Sequence, residues 1–252
     1  MSDLPWRVAW ITGASTGIGR EVALLMARRG VIVAASARSA DKLQGLGHGI
    51  HAYPLDVTDP QAVQDAHDRI CRELGAIDLA VLAAGTYRPL DVGDFDVANF
   101  TVTNAVNYLG VIHALAALLP SMRRRRSGHI AWIASVAGYR GLPKAAAYGP
   151  SKAALINLAE SLKPELDADG VAVSLVNPGF VETPLTAQND FRMPFLMSPE
   201  TAAARIVAGL VRHQFEIAFP TRFIVLLKLA RLLPYACYFR ITRRLVKTRR
   251  TA

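Results

Sequence analysis

"TGASTGIG", residues 12–19, stands between a short apolar run, RVAWIT, and a helix-length segment from Gly17 to Arg29. Its three glycines have separate uses. Gly13 permits a sharp turn out of a strand, Gly17 lets backbone approach a ligand, and Gly19 lets the next helix pack tightly on a sheet. Backbone amides of Ser15, Thr16, Gly17 and Ile18 then gather at a helix N-terminus, where unpaired N–H groups favour an anion such as a pyrophosphate. Three glycines at the end of a strand and the start of a helix predict a dinucleotide-binding βαβ unit.

The rest of the body repeats that alternation. VIVAAS, IHAYPLD, DLAVLAA, GHIAWIAS and VAVSLVN are near-continuous apolar runs of strand length, as expected of strands buried on both faces. Between them lie helical segments at Pro60–Leu74, Asp96–Leu119, Tyr148–Asp167 and Pro199–Arg212. Strand-helix alternation predicts an α/β fold: a doubly wound parallel sheet with helices on both faces, binding its ligand beyond the carboxyl ends of the strands.

At 252 residues and 52% hydrophobic, the chain can bury one full core, so a single domain is expected. Cys71 and Cys237 form no spaced pattern, and the six histidines lack ligand spacing, which points away from a disulfide framework or a metal site. The N-terminus has no charged start followed by an apolar run, which fits a cytoplasmic protein. Charge is divided unevenly: residues 1–220 hold 20 basic and 20 acidic side chains, and residues 221–252 hold the other 9 basic ones and no acid. A balanced body argues against nucleic-acid binding. Arg123–Arg126, after a long apolar helical stretch ending near Pro120, reads as a solvated helix C-terminus, where cations are favoured.

At the end of the second strand, AASARS places Ser36 where a carboxylate would select NAD, with Arg38 two residues on. A cation suits a 2′-phosphate, so NADP(H) is expected in preference to NAD(H). Further along, YGPSK sets Tyr148 and Lys152 four positions apart, on one face of a helix. A neighbouring ammonium lowers the pKa of a phenol, and Tyr148 would then exchange protons near neutrality.

Taken together, Thr12-Gly-x-x-x-Gly-x-Gly19, Asp56-Val57, Asn107, Ser135, Tyr148-x-x-x-Lys152 and Asn177-Pro178-Gly179 resemble the short-chain dehydrogenase/reductase family, over about residues 6–220. The resemblance implies a seven-stranded Rossmann fold. It also implies a catalytic tetrad: Tyr148 as acid/base, Lys152 lowering its pKa and holding the nicotinamide ribose, Ser135 on the substrate oxygen, and Asn107 holding a water of the proton path. Asp56 and Val57 would lie beside the adenine, Ala84 and Gly85 along the cofactor, Pro178 and Gly179 against the nicotinamide, and Val181 and Thr183 at its carboxamide. Pairing into homodimers or homotetramers is a further implication. One departure is Leu82-Ala83-Ala84-Gly85, where the family usually has Asn-Asn-Ala-Gly; it puts the local bracing of the sheet in question.

Two segments lie outside those motifs. LTAQNDFRMPFLMSPE is long for a connection, and its Phe191, Met193, Phe195, Leu196 and Met197 suit either the wall of a lipophilic pocket or packing on the sheet. Residues 221–252 form an extension in which Arg240, Arg243, Arg244 and Lys247 recur at helical spacing opposite Tyr238, Ile241 and Leu245. This predicts a basic amphipathic helix that meets an anionic membrane surface, at the inner face of a membrane, or else a neighbouring subunit. The chain is thus expected to be an NADP(H)-dependent oxidoreductase acting on a small lipophilic carbonyl or alcohol, the alternative being a catalytically silent NADP(H)-binding regulatory or scaffold protein.

Overall fold

Seven strands form a single parallel sheet in a computed structural model that describes residues 3–246. They are β1 (Val8–Thr12), β2 (Ile32–Ser36), β3 (Ile50–Ala52), β4 (Leu79–Leu82), β5 (His129–Ile133), β6 (Ala172–Pro178) and β7 (Glu216–Phe219), in the order β3-β2-β1-β4-β5-β6-β7. The order reverses between β1 and β4. Thr12 is in register with both Ser36 and Leu82, so the loops after β1, β2 and β4 leave the sheet at one level and open a crevice there.

The helices are α1 (Gly17–Arg28), α2 (Ala40–Gln44), α3 (Pro60–Glu73), α4 (Val97–Asn104), α5 (Gly110–Arg125), α6 (Tyr148–Ala168), α7 (Pro199–Val211), α8 (Thr221–Arg231) and α9 (Tyr235–Thr242). Strand side chains alternate between two cores. Val8 and Trp10 of β1 face the core built with α3, α5 and α6, whereas Ala9 and Ile11 face the one built with α1 and α7. All five residues of β1 are buried, which is why it reads as a continuous apolar run. The two fully buried tryptophans keep their indole N–H groups paired: Trp10 Nε1 donates to Ser36 Oγ at 2.9 Å and Trp132 Nε1 to the Leu155 carbonyl at 2.9 Å.

The helix expected over 96–119 is longer. Asp96 caps it by accepting from the Ala98 amide at 2.9 Å, α4 passes into α5 through a π turn at Ala105–Leu109, and α5 continues to Arg125 with Pro120 inside it. Pro120 lies on the exposed side, where the carbonyl it leaves unpaired, that of Ala116, can meet water. The arginine run is also more than a solvated end. Arg123 pairs with Asp169 at 2.5 Å, Arg125 donates to the Ile77 carbonyl at 2.7 Å, and Arg126 donates to the Ala168 carbonyl at 2.8 Å. The run therefore ties the end of α5 to the entry of β4 and the end of α6.

Residues 221–246 fold against the body. Phe223 and Ile224 of α8 enter the core, and Tyr238 and Thr242 of α9 are buried. α9 departs from the expected amphipathic pattern: its inward face is Tyr238 and Thr242, Ile241 is 52% exposed, and the helix gives way to a short 3-10 turn at Arg243–Leu245. Lys247 lies outside the described residues.

Candidate functional site

A cleft of about 670 Å³ opens at the carboxyl ends of the strands. Its floor is the residue 12–19 loop. Gly13 has φ +67°, and a Cβ there would lie 2.6 Å from the Ala84 amide nitrogen; a Cβ on Gly19 would lie 2.5 Å from the Gly13 carbonyl oxygen. Only glycine fits either position. Thr16, the N-cap of α1, makes no side-chain capping bond, and the first turn of α1 carries no acid. The first-turn amides are thus without a carboxylate or hydroxyl of their own, while Gly13, Ser15, Thr16, Gly17, Ile18 and Gly19 all line the cleft. This donor set fits a pyrophosphate.

At the β2 end the structure corrects one detail. Ser36 is fully buried, its hydroxyl occupied by Trp10, and Ala37 is the residue that reaches the cleft. No carboxylate stands there in either case. Arg38 lines the cleft, joined by Ser39 and Lys42, and Lys42 is a cation that the sequence reading did not single out. Asp56 and Val57 line the same end. Asp56 Oδ1 accepts from the Thr58 amide (2.9 Å) and hydroxyl (2.8 Å); the amide bond most of all, with help from Arg38, holds the carboxyl below its ordinary range. The Val57 carbonyl bonds His113 Nδ1 at 2.9 Å, which fixes this loop to α5.

The missing asparagines after β4 are replaced by other braces. Thr12 Oγ1 accepts from the Ala83 and Ala84 amides at 3.2 and 3.4 Å. Asn107, fully buried in the π turn, accepts the Thr86 N–H at 2.7 Å and donates to the Thr86 carbonyl and to Ser151 Oγ, both at 3.0 Å. Ala84 and Gly85 line the cleft between these anchors. Asn107 does not line the cleft; it sits behind it, its carboxamide committed to Thr86 and Ser151.

Ser135, Tyr148 and Lys152 do meet in the cleft. Ser135 follows β5, Tyr148 opens α6, and Lys152 lies one turn on. Lys152 Nζ sits 5.5 Å from the Tyr148 ring centroid and donates to the Ile133 carbonyl at 2.8 Å. Tyr87 packs edge-on against Tyr148, with 5.1 Å between ring centroids. The expected lowering of the phenol pKa is not what this structure holds. Burial pushes Tyr148 up to about 12, outweighing the Ser135 hydrogen bond that pulls it down, and burial pushes Lys152 down to about 7. Desolvation disfavours both charged forms, and the short spacing alone does not reverse it.

Pro178, Gly179, Val181 and Thr183 line the cleft after β6. Thr186, a residue the sequence reading passed over, braces them: its hydroxyl donates to the Val181 carbonyl at 2.5 Å and accepts from the Thr183 amide at 3.1 Å. The long connection is latched to the body by Tyr87 donating to Asn189 Oδ1 (3.1 Å) and by Lys144 with Asp190 (2.7 Å). Phe191, Met193, Phe195, Leu196 and Met197 are absent from the cleft wall, where Val102, Val106, Ile133 and Leu185 supply apolar surface instead. Phe191 packs on Phe180, and Phe195 on Phe223 of α8.

Residues 7–192 match the family model for short chain dehydrogenase. An uncharacterized oxidoreductase of Myxococcus xanthus is 37% identical over 252 residues, spanning 97% of this chain and 100% of its own. Mouse 17-beta-hydroxysteroid dehydrogenase 13 is 34% identical over 221 residues, spanning 84% of this chain and 73% of its own. An alcohol dehydrogenase from Thermococcus sibiricus, solved with 5-hydroxy-NADP, superimposes with a TM-score of 0.76 at 26% identity, over 85% of this chain and 96% of that one. The glycine loop, the parallel sheet reversing at β1/β4 and these similarities make the chain a member of the short-chain dehydrogenase family, an NAD(P)-dependent oxidoreductase acting on CH–OH groups.

Proposed function

We propose that this protein interconverts a carbonyl and a secondary alcohol on a lipophilic substrate, with NADP(H) preferred. The observation that carries the reading is the convergence of Ser135, Tyr148 and Lys152 in one cleft with the glycine loop and the Arg38–Lys42 pair. The nicotinamide, when bound, supplies or accepts the hydride. In the reductive direction the Tyr148 hydroxyl gives its proton to the carbonyl oxygen, which gains negative charge as it becomes an alkoxide. A phenol held protonated suits a general acid. Ser135 Oγ accepts from the Ala137 amide at 3.1 Å, which leaves its hydroxyl proton for the Tyr148 oxygen, and a bound carbonyl oxygen would share that proton. Lys152, a cation below about pH 7, would restore the Tyr148 proton and would hold the ribose hydroxyls of a bound cofactor. Asn107 acts from behind by fixing Thr86 and the helix that carries Tyr148.

NADP(H) preference is supported by two cations and no carboxylate at the end of β2. A lipophilic substrate is supported by Val102, Val106, Ile133 and Leu185 on the cleft wall and by the hydroxysteroid named in the mouse relative. The test is NADPH oxidation with a series of ketones of rising chain length, using Tyr148→Phe as the control. Turnover should rise with apolar chain length and fall by a factor on the order of 10² or more in the control. A panel in which no ketone or alcohol turns over would favour the silent cofactor-binding alternative.

A further inference from the structure

α8 is apolar on two sides. Phe223 and Ile224 are buried and Leu227 packs against the core, yet Val225, Leu226, Leu229 and Leu232 are 51–80% exposed. At about 100° per residue, those four cover roughly 120° of the helix surface, opposite the buried stripe. A helix on a water-facing surface normally turns charge outward there. Next in the chain, α9 exposes Tyr235 and Phe239, whose rings stack 5.7 Å apart.

The segment that carries this strip is rich in cations and supplies no acid of its own. Arg222, Lys228, Arg231, Arg240, Arg243 and Arg244 belong to it, and residues 221–252 contain no Asp or Glu. Nor is it a loose arm able to fold back over its own leucines. Arg140 Nη1 donates to the carbonyls of Ala230 (2.5 Å), Arg231 (3.1 Å) and Leu233 (2.9 Å), and its guanidinium lies 3.9 Å from the Tyr238 ring centroid. Tyr238 Oη donates to the Gly141 carbonyl at 2.5 Å, and Lys228 pairs with Glu216. Arg140 and Gly141 lie between Ser135 and Tyr148 in the chain, so the apolar strip is fixed to the segment that joins those two residues.

The geometry points to an anionic lipid bilayer as the partner of this face, with the leucines, Tyr235 and Phe239 entering the acyl boundary and the arginines at the phosphate level. A second copy of this chain fits poorly, because a two-fold contact through α8 would set the same cations against each other, and the acid beside them, Glu216, is already paired with Lys228 of its own chain. The inference does not depend on the substrate class proposed above.

The experiment is co-sedimentation of the full-length protein with phosphatidylcholine vesicles, with and without phosphatidylglycerol. Partitioning should be on the order of tenfold stronger on the anionic vesicles and should weaken as salt rises to roughly 0.5 M. A Leu226→Glu/Leu229→Glu variant, changed only at exposed positions, should lose at least about tenfold in partitioning while keeping its thermal midpoint, its NADPH affinity and its sedimentation-velocity mass. Failure of the wild type to sediment with anionic vesicles at low salt, or equal partitioning of the variant, overturns the proposal. So does a change in the variant's oligomer mass, which would make the strip a subunit contact. The assay uses neither cofactor nor substrate, so its outcome is separate from that of the ketone series.

Discussion

Lys152 Nζ donates to the Ile133 carbonyl oxygen at 2.8 Å from a side chain that is only 3% exposed. The ammonium is thereby held at the end of β5, one helical turn from Tyr148, with a neutral carbonyl as its hydrogen-bond partner. Holding a charge at such a site costs stability. The same burial that pushes Lys152 down to about 7 keeps the Tyr148 phenol protonated.

A pH dependence of stability follows. An unfolded lysine titrates near 10.5 and Lys152 in the fold near about 7, so between these values the unfolded chain binds the extra proton. Stability of the cofactor-free protein should therefore rise with pH across that window, and the penalty is fully present below pH 7. Lys152→Met should raise the melting midpoint at pH 7 by on the order of 5 °C, with the gain shrinking towards pH 10. Scanning fluorimetry at closely spaced pH values reads this directly. Parallel curves for the two proteins would show that Lys152 is not desolvated.

Tyr148→Phe removes one hydroxyl and leaves the edge-on ring contact with Tyr87 in place. Turnover should fall by a factor on the order of 10² or more, with NADPH affinity nearly unchanged, because the proton donor is lost and the cradle is not. Steady-state kinetics with a fluorescence titration of NADPH separates the two. Retained turnover would reassign the proton to another group.

Much of this architecture was legible because strands buried on both faces leave unbroken apolar runs, and because Gly13 and Gly19 occupy positions that no other residue tolerates. β7 was hidden by its brevity and by Glu216, whose carboxylate is satisfied only in three dimensions by Tyr139, Asn177 and Lys228. Spacing put Tyr148 and Lys152 together but carried no information on desolvation, which sets the direction of both pKa shifts. Lys42 lies one turn beyond Arg38 on a five-residue helix too short to announce itself by periodicity. Phe191 and Phe195 were readable as apolar, but whether they faced the cleft or Phe180 and Phe223 depended on contacts with residues distant in sequence.

The two cations at the β2 end give a graded cofactor prediction. Arg38→Ala should weaken NADPH binding by roughly 10- to 150-fold, the equivalent of about 1.5–3 kcal/mol for a charge-assisted hydrogen bond, while changing NADH binding little. Lys42→Ala should act in the same direction and more weakly, since an ammonium lacks the forked geometry of a guanidinium. Titrations of each variant with both cofactors test the pair. Equal losses for NADPH and NADH would mean that neither side chain reads the 2′-phosphate.

Asn107 carries the remaining prediction, because it touches no cleft surface and yet holds both backbone groups of Thr86. Asn107→Ala would strip the half-buried Thr86 N–H and carbonyl of their side-chain partner, a loss of about 1 kcal/mol. Asn107→Asp should be the informative companion: its carboxylate can still accept the Thr86 N–H, but it opposes the Thr86 carbonyl and can no longer donate to Ser151. Hydrogen exchange at the Thr86 amide should then be fast in the alanine variant and protected in the aspartate variant, with turnover reduced in both. Asn107 bonds neither Arg38 nor Lys42, so the preference between NADPH and NADH should be unchanged in either protein. An unaltered exchange rate at Thr86 in the alanine variant would show that Thr12 alone, through the Ala83 and Ala84 amides, is enough to hold the loop.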